Sequence, residues 1–314
     1  MSDEKHAYKL GKLPVRKDKR TLQLKSILRT DLLPAIPDVY ELDVASSYNI
    51  PLNMFANDYW GDCVIAGRAN WTQRAECFEQ KKCIIISDQE VLTEYWNEGA
   101  DGTYHPDHGL VMLDSLNTWR RNGWIAGGQK YDIYAFAAID VADHRELQYA
   151  VFLLNGGYIG FSVPQSAINQ FNLGQMWTVV SGSPIVGGHC VYVVGYNQTG
   201  PICITWARKQ QMTWEFWNAY VDESYAIVDN KDSFLATSPV DVFKLNEYLN
   251  NLHNNPTKVV RTSLIHPDGS MENMTAPVDS NGKFEVIFTP NVKGEYEVDA
   301  QYNTDKASLK ISVK

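Results

Sequence analysis

The sequence predicts an α+β fold with a small all-β unit behind it, on three observations. Helical periodicities fill the chain as far as Gly123, short β-branched and aromatic runs dominate from Tyr158, and strict alternation takes over beyond a polar stretch at Asn250 to Lys258. Helices followed by strands argue against a regular parallel α/β repeat. The 314 residues allow about two domains, and 44% apolar with 21% charged residues is enough to build a large core.

Residues 1–35 carry clustered basic charge at Arg16, Lys17, Lys19 and Arg20 with little periodicity, and read as a solvated N-terminal arm. Residues 36–250 form the main domain. Its first helix runs from Cys63 to about Gln80, with Val64, Ile65, Ala66, Ala69, Ala75 and Phe78 on one broad apolar side and Asp62 as N-cap. Ser87 and Glu90 stand in capping-box spacing at the head of a second helix. Leu110, Leu113, Leu116 and Trp119 mark a third, closed by Gly123. "YDIYAFAAIDV" then reads as a strand and "DHRELQYAVFLLNGG" as a helix stopped by glycines. Four more strands follow in "YIGFSV", "HCVYVVGYN", "PICITWA" and "SYAIVDN". Ser238-Pro239 predicts a short helix with Ser as cap and Pro in its first position. After a linker at 251–256, residues 257–314 carry four strand-like runs, "KVVRTSLI", "GKFEVIFT", "GEYEVDAQY" and "ASLKISV", expected to fold as a small β-sandwich.

A net charge of -9 and a pI near 5.3 argue against sequence-independent nucleic-acid binding, which needs Lys and Arg to neutralise phosphates. The opening "MSDEKHAYKLGK" is polar throughout, so no signal peptide is indicated and cytoplasmic synthesis is expected. No apolar run approaches the ~18 residues of a membrane span, so no membrane insertion is expected. The five cysteines, Cys63, Cys77, Cys83, Cys190 and Cys203, are an odd set without metal-like spacing and read as mostly reduced. No cofactor is expected.

Two residues carry chemistry. Cys63 falls in the first turn of its helix, where unpaired N–H groups and the helix dipole favour a thiolate. His189 begins a strand after two glycines that admit a close backbone, and would supply the imidazole such a thiol needs. The local alternatives are a packed core cysteine and a hydrogen-bonded structural histidine.

The order of segments resembles the papain-like cysteine peptidases. "IPDVYELDV" is similar to the opening of the mature enzyme, "NDYWGDCVIA" to the nucleophile turn and "ISDQEVLTEY" to the second helix. "DHGLVMLDSLNTWRRNGW" resembles the third helix and "GGHCVYVVGYN" the histidine strand; the likeness covers roughly 36 to 230. A closer resemblance is to a divergent bacterial and phage branch sharing "GDCVIA". The resemblance implies a two-lobed papain-like domain and an Ig-like sandwich. It makes Cys63 the nucleophile, His189 the general base and later acid, and Asn57, where the family has Gln, an oxyanion-hole donor beside the Cys63 N–H. In place of the family's Asn-Ser-Trp the chain has Ile204-Thr205-Trp206, so His189 would be oriented by Thr205, a backbone carbonyl or Asp229. Trp60 stands where the family has a disulfide cysteine, and Val64 where Trp follows the nucleophile. The leading 35 residues are too short to resemble an inhibitory propeptide.

Two functions follow as expectations. The first is a thiol hydrolase, a cysteine peptidase acting on a peptide or protein substrate at a peptide or isopeptide carbonyl. The second is an idle papain-like domain serving as a structural or adhesion component, for instance of a phage virion, with the sandwich meeting a virion or cell-surface partner. Among weaker signals, Asp101, His105, Asp107 and His108 read as a solvated loop rather than a metal site. Trp206, Trp214, Phe216, Trp217 and Tyr220 are expected to wall the cleft, with Arg208, Gln210 and Gln211 as candidate lining.

Overall fold

Leu22, Leu24, Ile27 and Leu28 are buried, so the leading segment is not a solvated arm. They sit on and around a single helical turn, α1 (Leu24–Ile27), stitched by isolated bridges from Gln23 to Ala138 and from Leu28 to Val240. Basic side chains read from sequence as a free patch are tied locally: Arg16 reaches Asp114 and Arg20 forks onto Asp18. This computed structural model describes residues 8–81, 83–99, 107–229, 238–254, 259–277, 290, 292–302 and 305–314. The chain divides into two compact units, residues 1–246 and 247–314.

In the first unit, β1 (Tyr40–Glu41) and α2 (Leu42–Ser46) lead to α3 (Cys63–Gln80), α4 (Asp88–Gly99) and α5 (Met112–Asn122). The expected amphipathic stripe on α3 is absent. From Cys63 to Cys77 every residue is buried, including Arg68, Asn70, Thr72, Gln73, Arg74 and Glu76. A helix buried all round has to satisfy its polar groups internally. Arg68 pairs with Glu94 at 3.0 Å and Glu98 at 2.5 Å and lies over the rings of Trp119 and Trp124, while Arg74 forks onto Asp43. Removing one partner of a buried pair costs roughly 3–5 kcal/mol, because the other charge stays buried. Burial already pushes the Glu98 carboxyl up to about 7 against the pull of Arg68. Arg68→Met is therefore expected to lower the melting temperature by roughly 6–20 °C. A shift below about 2 °C in a thermal scan would show that the network adds no net stability.

The capping box of α4 is formed, with Ser87 N–H donating to Glu90 Oε2 at 2.8 Å and Glu90 N–H to Ser87 Oγ at 3.3 Å. Gly123 ends α5 at φ 62°, its N–H returning to the Trp119 carbonyl. Cys77 and Cys83 are joined by a disulfide, which the spacing did not suggest. Lys81 turns the chain back in the left-handed conformation (φ 53°) and brings Cys83 against the end of α3. Cys63, Cys190 and Cys203 are free and buried.

A hairpin, β2 (Trp124–Ala126) and β3 (Gln129–Tyr131), precedes the main sheet. That sheet is built from β4 (Ala135–Ala138), then, after α6 (His144–Leu153), β5 (Gly157–Pro164). After α7 (Gln165–Asn172) come β6 (Ile185–Tyr196), β7 (Pro201–Thr205) and β8 (Arg208–Gln211), and after α8 (Trp214–Tyr220) the strand β9 (Val221–Val228). The order is β4-β9-β5-β6-β7-β8, antiparallel throughout, with β1 added to the far end of β6. The long β6 packs on α3, so the two elements that carry His189 and Cys63 meet at the centre of the unit.

α9 (Val242–Asn254) begins later than Ser238-Pro239 suggested and extends through most of the expected 251–256 linker. Asp241 is the residue that caps it, accepting from the N–H groups of Phe243 and Lys244 at 3.1 Å. Among the described residues, the second unit holds one antiparallel sheet, β11-β10-β12-β13, of β10 (Val259–Ile265), β11 (Met271–Pro277), β12 (Gly294–Tyr302) and β13 (Asp305–Val313). The run "GKFEVIFT" lies outside the described residues, as do Asp101 and His105. Among the described residues no helix is long and apolar enough to cross a membrane, and no group of three or more His, Cys, Asp or Glu is placed to hold a metal.

Candidate functional site

Cys63 opens α3, so its own N–H has no partner within the helix. Asp62 occupies the cap position without capping; its carboxyl is buried and accepts from the Asn57 amide at 2.9 Å. The backbone N–H groups of Cys190 and Gly11 point at the Cys63 sulfur. Even so, complete burial pushes the thiol up to about 11. His189, on β6, stands one residue before Cys190 and is buried as well. Its Nε2 lies 2.7 Å from Thr205 Oγ1, and its ring stacks on Trp206 with centroids 4.3 Å apart. Nδ1 is buried without a hydrogen-bond partner, and burial pushes the imidazole down to about 3. Thiol and imidazole are thus both neutral in this state.

Thr205 was one of three candidates for orienting His189, and the structure brings it into contact. Asp229 lies near Glu76 instead, acting on that carboxyl. With its hydrogen on Nε2, His189 donates to the Thr205 hydroxyl and presents the Nδ1 lone pair. Asn57 is placed differently from expectation: its amide nitrogen donates to the Trp60 carbonyl at 3.0 Å and to Asp62 Oδ1 at 2.9 Å. Both amide hydrogens are spent, so in this state neither is free for an oxyanion. Of the aromatic run, Trp206 stacks on His189, whereas Trp214 stacks on His144 and Trp217 donates to the Val141 carbonyl. Arg208 donates to the Phe171 carbonyl, Gln210 to that of Gln175 and Gln211 to that of Gly200, pinning loops instead of offering groups to a substrate.

The largest departure from the sequence reading is what covers the site. Residues 8–13 run extended across Cys63. Lys9 N–H donates to the Asn57 carbonyl, Lys12 N–H to that of Gly188 and Leu13 N–H to that of Leu110, while Leu110 N–H donates to the Gly11 carbonyl at 2.8 Å. Five glycines make room. A Cβ on Gly61 would stand 3.2 Å from Gly11 Cα, one on Gly109 2.7 Å from the Gly11 carbonyl carbon, and one on Gly187 2.8 Å from Leu10 Cδ1. Gly188 and Gly160 clear space for Lys12 in the same way. Tyr8 stacks on Trp206 at 4.5 Å and meets Phe171 edge-on. The sequence held a signal for this in five glycines around one cleft: Gly187 and Gly188 were expected to admit a close backbone, which is here that of the leading segment, whereas Gly61, Gly109 and Gly160 gave no such sign.

No protein-family model matches the chain, and no curated protein sequence matches it. Solved structures do. Xylellain, a cysteine protease from Xylella fastidiosa, matches with a TM-score of 0.59 at 17% identity, over 74% of this chain and 100% of that one. The fold is that of the papain-like cysteine proteases. A procathepsin B from Trypanosoma congolense shares it with a TM-score of 0.51 at 12% identity, over 71% of this chain and 87% of that one. In this papain-like fold His189 meets Thr205 where β6 pairs with β7, and the N–H of the next residue, Cys190, reaches the Cys63 sulfur at the head of α3. Thr205→Val is expected to shift the pH dependence of Cys63 alkylation once the cleft is open, and to slow alkylation about 10- to 100-fold, as befits a buried donor left unsatisfied. Thr205→Ser should restore the wild-type profile; an unchanged profile in Thr205→Val would remove Thr205 from the site.

Proposed function

We propose that the chain is a thiol hydrolase that cleaves peptide or isopeptide bonds through an acyl-enzyme on Cys63, and that residues 8–13 hold it closed. The observation that carries this reading is the arrangement of His189: Nε2 bonded to Thr205 Oγ1, the ring stacked on Trp206, and Nδ1 unpaired on the strand whose next N–H reaches the Cys63 sulfur. With its hydrogen on Nε2, His189 in this arrangement keeps on Nδ1 the lone pair a general base needs.

In the proposed reaction the Cys63 sulfur attacks the substrate carbonyl carbon and its proton passes to His189 Nδ1. The oxyanion is met by the Cys63 N–H at the positive end of α3. A second donor requires Asn57 to turn one amide hydrogen away from Trp60 or Asp62. The imidazolium then returns its proton to the departing amine, leaving a thioester that water, deprotonated by the same nitrogen, hydrolyses. Gly11 faces the sulfur with an N–H, and its carbonyl is held by Leu110, so the covering segment is presented in a form that is not attacked.

A second reading, an idle papain-like domain in a structural assembly such as a phage virion, is favoured by one observation, the commitment of both Asn57 amide hydrogens. Mass spectrometry separates the two. A chain whose arm is displaced, incubated with an activated peptide ester and quenched in acid, is expected to carry the acyl mass on the Cys63 peptide and to release the free acid. Absence of both products across a mixed peptide library would leave the structural reading.

A further inference from the structure

We infer that Asp62 is a catalytic residue of this site: its Oδ2–H and the Cys63 N–H together receive the oxyanion, while Asn57 holds the carboxyl in place. This deepens the thiol-hydrolase reading and rests on it.

The Asp62 side chain springs from the peptide unit that carries the Cys63 N–H, and it is close enough to act on the sulfur. It stands at the cap position of α3 yet caps no N–H there, and it is fully buried. Its Oδ1 accepts from the Asn57 amide at 2.9 Å, and that amide is itself anchored on the Trp60 carbonyl at 3.0 Å. Its Oδ2 is buried with no hydrogen-bond partner among the described residues. A buried polar atom left unpaired is costly and calls for a reason. A partner that arrives only with the substrate supplies one.

The protonation of this carboxyl follows from its surroundings. Asp107 accepts from the Gly61 N–H at 2.7 Å and from the Tyr95 hydroxyl at 2.8 Å, so its charge is held beside Asp62. Asp88 adds to the repulsion. The Asn57 amide and the Asp62 N–H favour ionisation, but burial comes first and, with the two carboxylates, raises Asp62 well above the usual carboxylate range. Cys63 and Tyr95 are its other titratable neighbours. Lys12, which acts on the sulfur, is paired with Asp222 and Glu223 and departs with the arm. Because Oδ1 is the oxygen that accepts from Asn57, the proton belongs on Oδ2. The unpaired atom is therefore a donor.

A buried neutral acid is a strong donor to a developing oxyanion. As the Cys63 sulfur bonds to the substrate carbon, the carbonyl π pair moves onto oxygen, where the Cys63 N–H and the Asp62 O–H meet it. Asp62 keeps its proton throughout. When the pair returns and the C–N bond breaks, the leaving amine takes its proton from His189. Asn57 has no need to turn, so the commitment of both its amide hydrogens is compatible with catalysis.

The test compares two reactions of Cys63 in the full chain carrying Gly11→Val, both followed by mass spectrometry. Acylation by the p-nitrophenyl ester of an N-acylated glycine passes through an oxyanion, whereas alkylation by iodoacetamide does not. Asp62→Ala is expected to slow acylation about 10²-fold while alkylation stays within about threefold. Asp62→Asn, with an amide N–H in place of the acid O–H, should recover most of that loss. Asn57→Ala unfastens the acid without removing it, and should slow acylation only about tenfold. In the parent, the ratio of acylation to alkylation should fall at alkaline pH as Asp62 loses its proton; in Asp62→Asn it should stay level. Acylation that Asp62→Ala leaves unchanged, or slows only in step with alkylation, overturns the inference, as does a larger acylation loss in Asn57→Ala. In each of these cases the acylated sulfur leaves the hydrolase reading standing. A parent chain that is alkylated but never acylated overturns both.

Discussion

Gly11→Val is expected to raise the rate of Cys63 alkylation by iodoacetamide at pH 7.5 by at least about 300-fold. A Cβ at residue 11 would stand 2.6 Å from Gly61 Cα and closer still to the Gly61 carbonyl, and backbone on both sides cannot yield. The arm must lift. While it is seated, a thiol pushed up to about 11 is ~0.03% thiolate at pH 7.5, and the rate should climb about tenfold per pH unit up to that value. Returned to the ordinary value of about 8.5, the thiol is ~10% thiolate at the same pH, which is the origin of the factor. Any help from His189 would add to it. An unchanged rate in a variant with wild-type circular dichroism would mean that Gly11 is not what covers the sulfur.

Cys63→Ala in the Gly11→Val chain is expected to abolish hydrolysis, a fall of about 10⁴ or more, and His189→Ala to do nearly the same. The two act as a unit, so the double variant should be no worse than either alone. Neither change should unfold the protein, since each shortens a buried side chain without creating a buried charge. The sharper readout is alkylation of the open chain against pH. With His189 present, reaction is expected well below the ordinary thiol range; with His189→Ala, it should rise only near pH 8.5. Hydrolysis that survives Cys63→Ala would assign the chemistry to another residue.

Much of the fold was legible because it is written in local signals. The Ser87–Glu90 capping box and the Gly123 stop lie within a turn of the helices they bound, and both form. The papain-like architecture was legible from the order of segments, and the structural neighbours share it. Partnerships set by distant segments were not legible. α3 carries nearly as many polar as apolar residues and gives no periodic sign that all its faces will be buried; Arg68 is explained by Glu94 and Glu98 on α4 and by Ser115, Trp119 and Trp124 further along the chain. The same holds at the site. His189 and Cys63 were visible by type and position, whereas the Asn57 amide went to Trp60 and Asp62 through local loop geometry that sequence does not encode plainly. Lys12 looked like one more surface lysine in a basic segment, because its carboxylates lie on β9, more than two hundred residues away.

The attachment of residues 8–13 to the domain they cover has a quantitative consequence. Closing and opening is a one-molecule equilibrium, so the open fraction is the same at every protein dilution. A short tether gives the segment an effective concentration on the order of millimolar at its seat. Any peptide arriving from solution competes with that concentration, and its apparent dissociation constant is its intrinsic one divided by the open fraction. Weak individual contacts along residues 8–13 are therefore enough to keep casual peptides out. A peptide that makes better contacts with the cleft than residues 8–13 do can still win the seat.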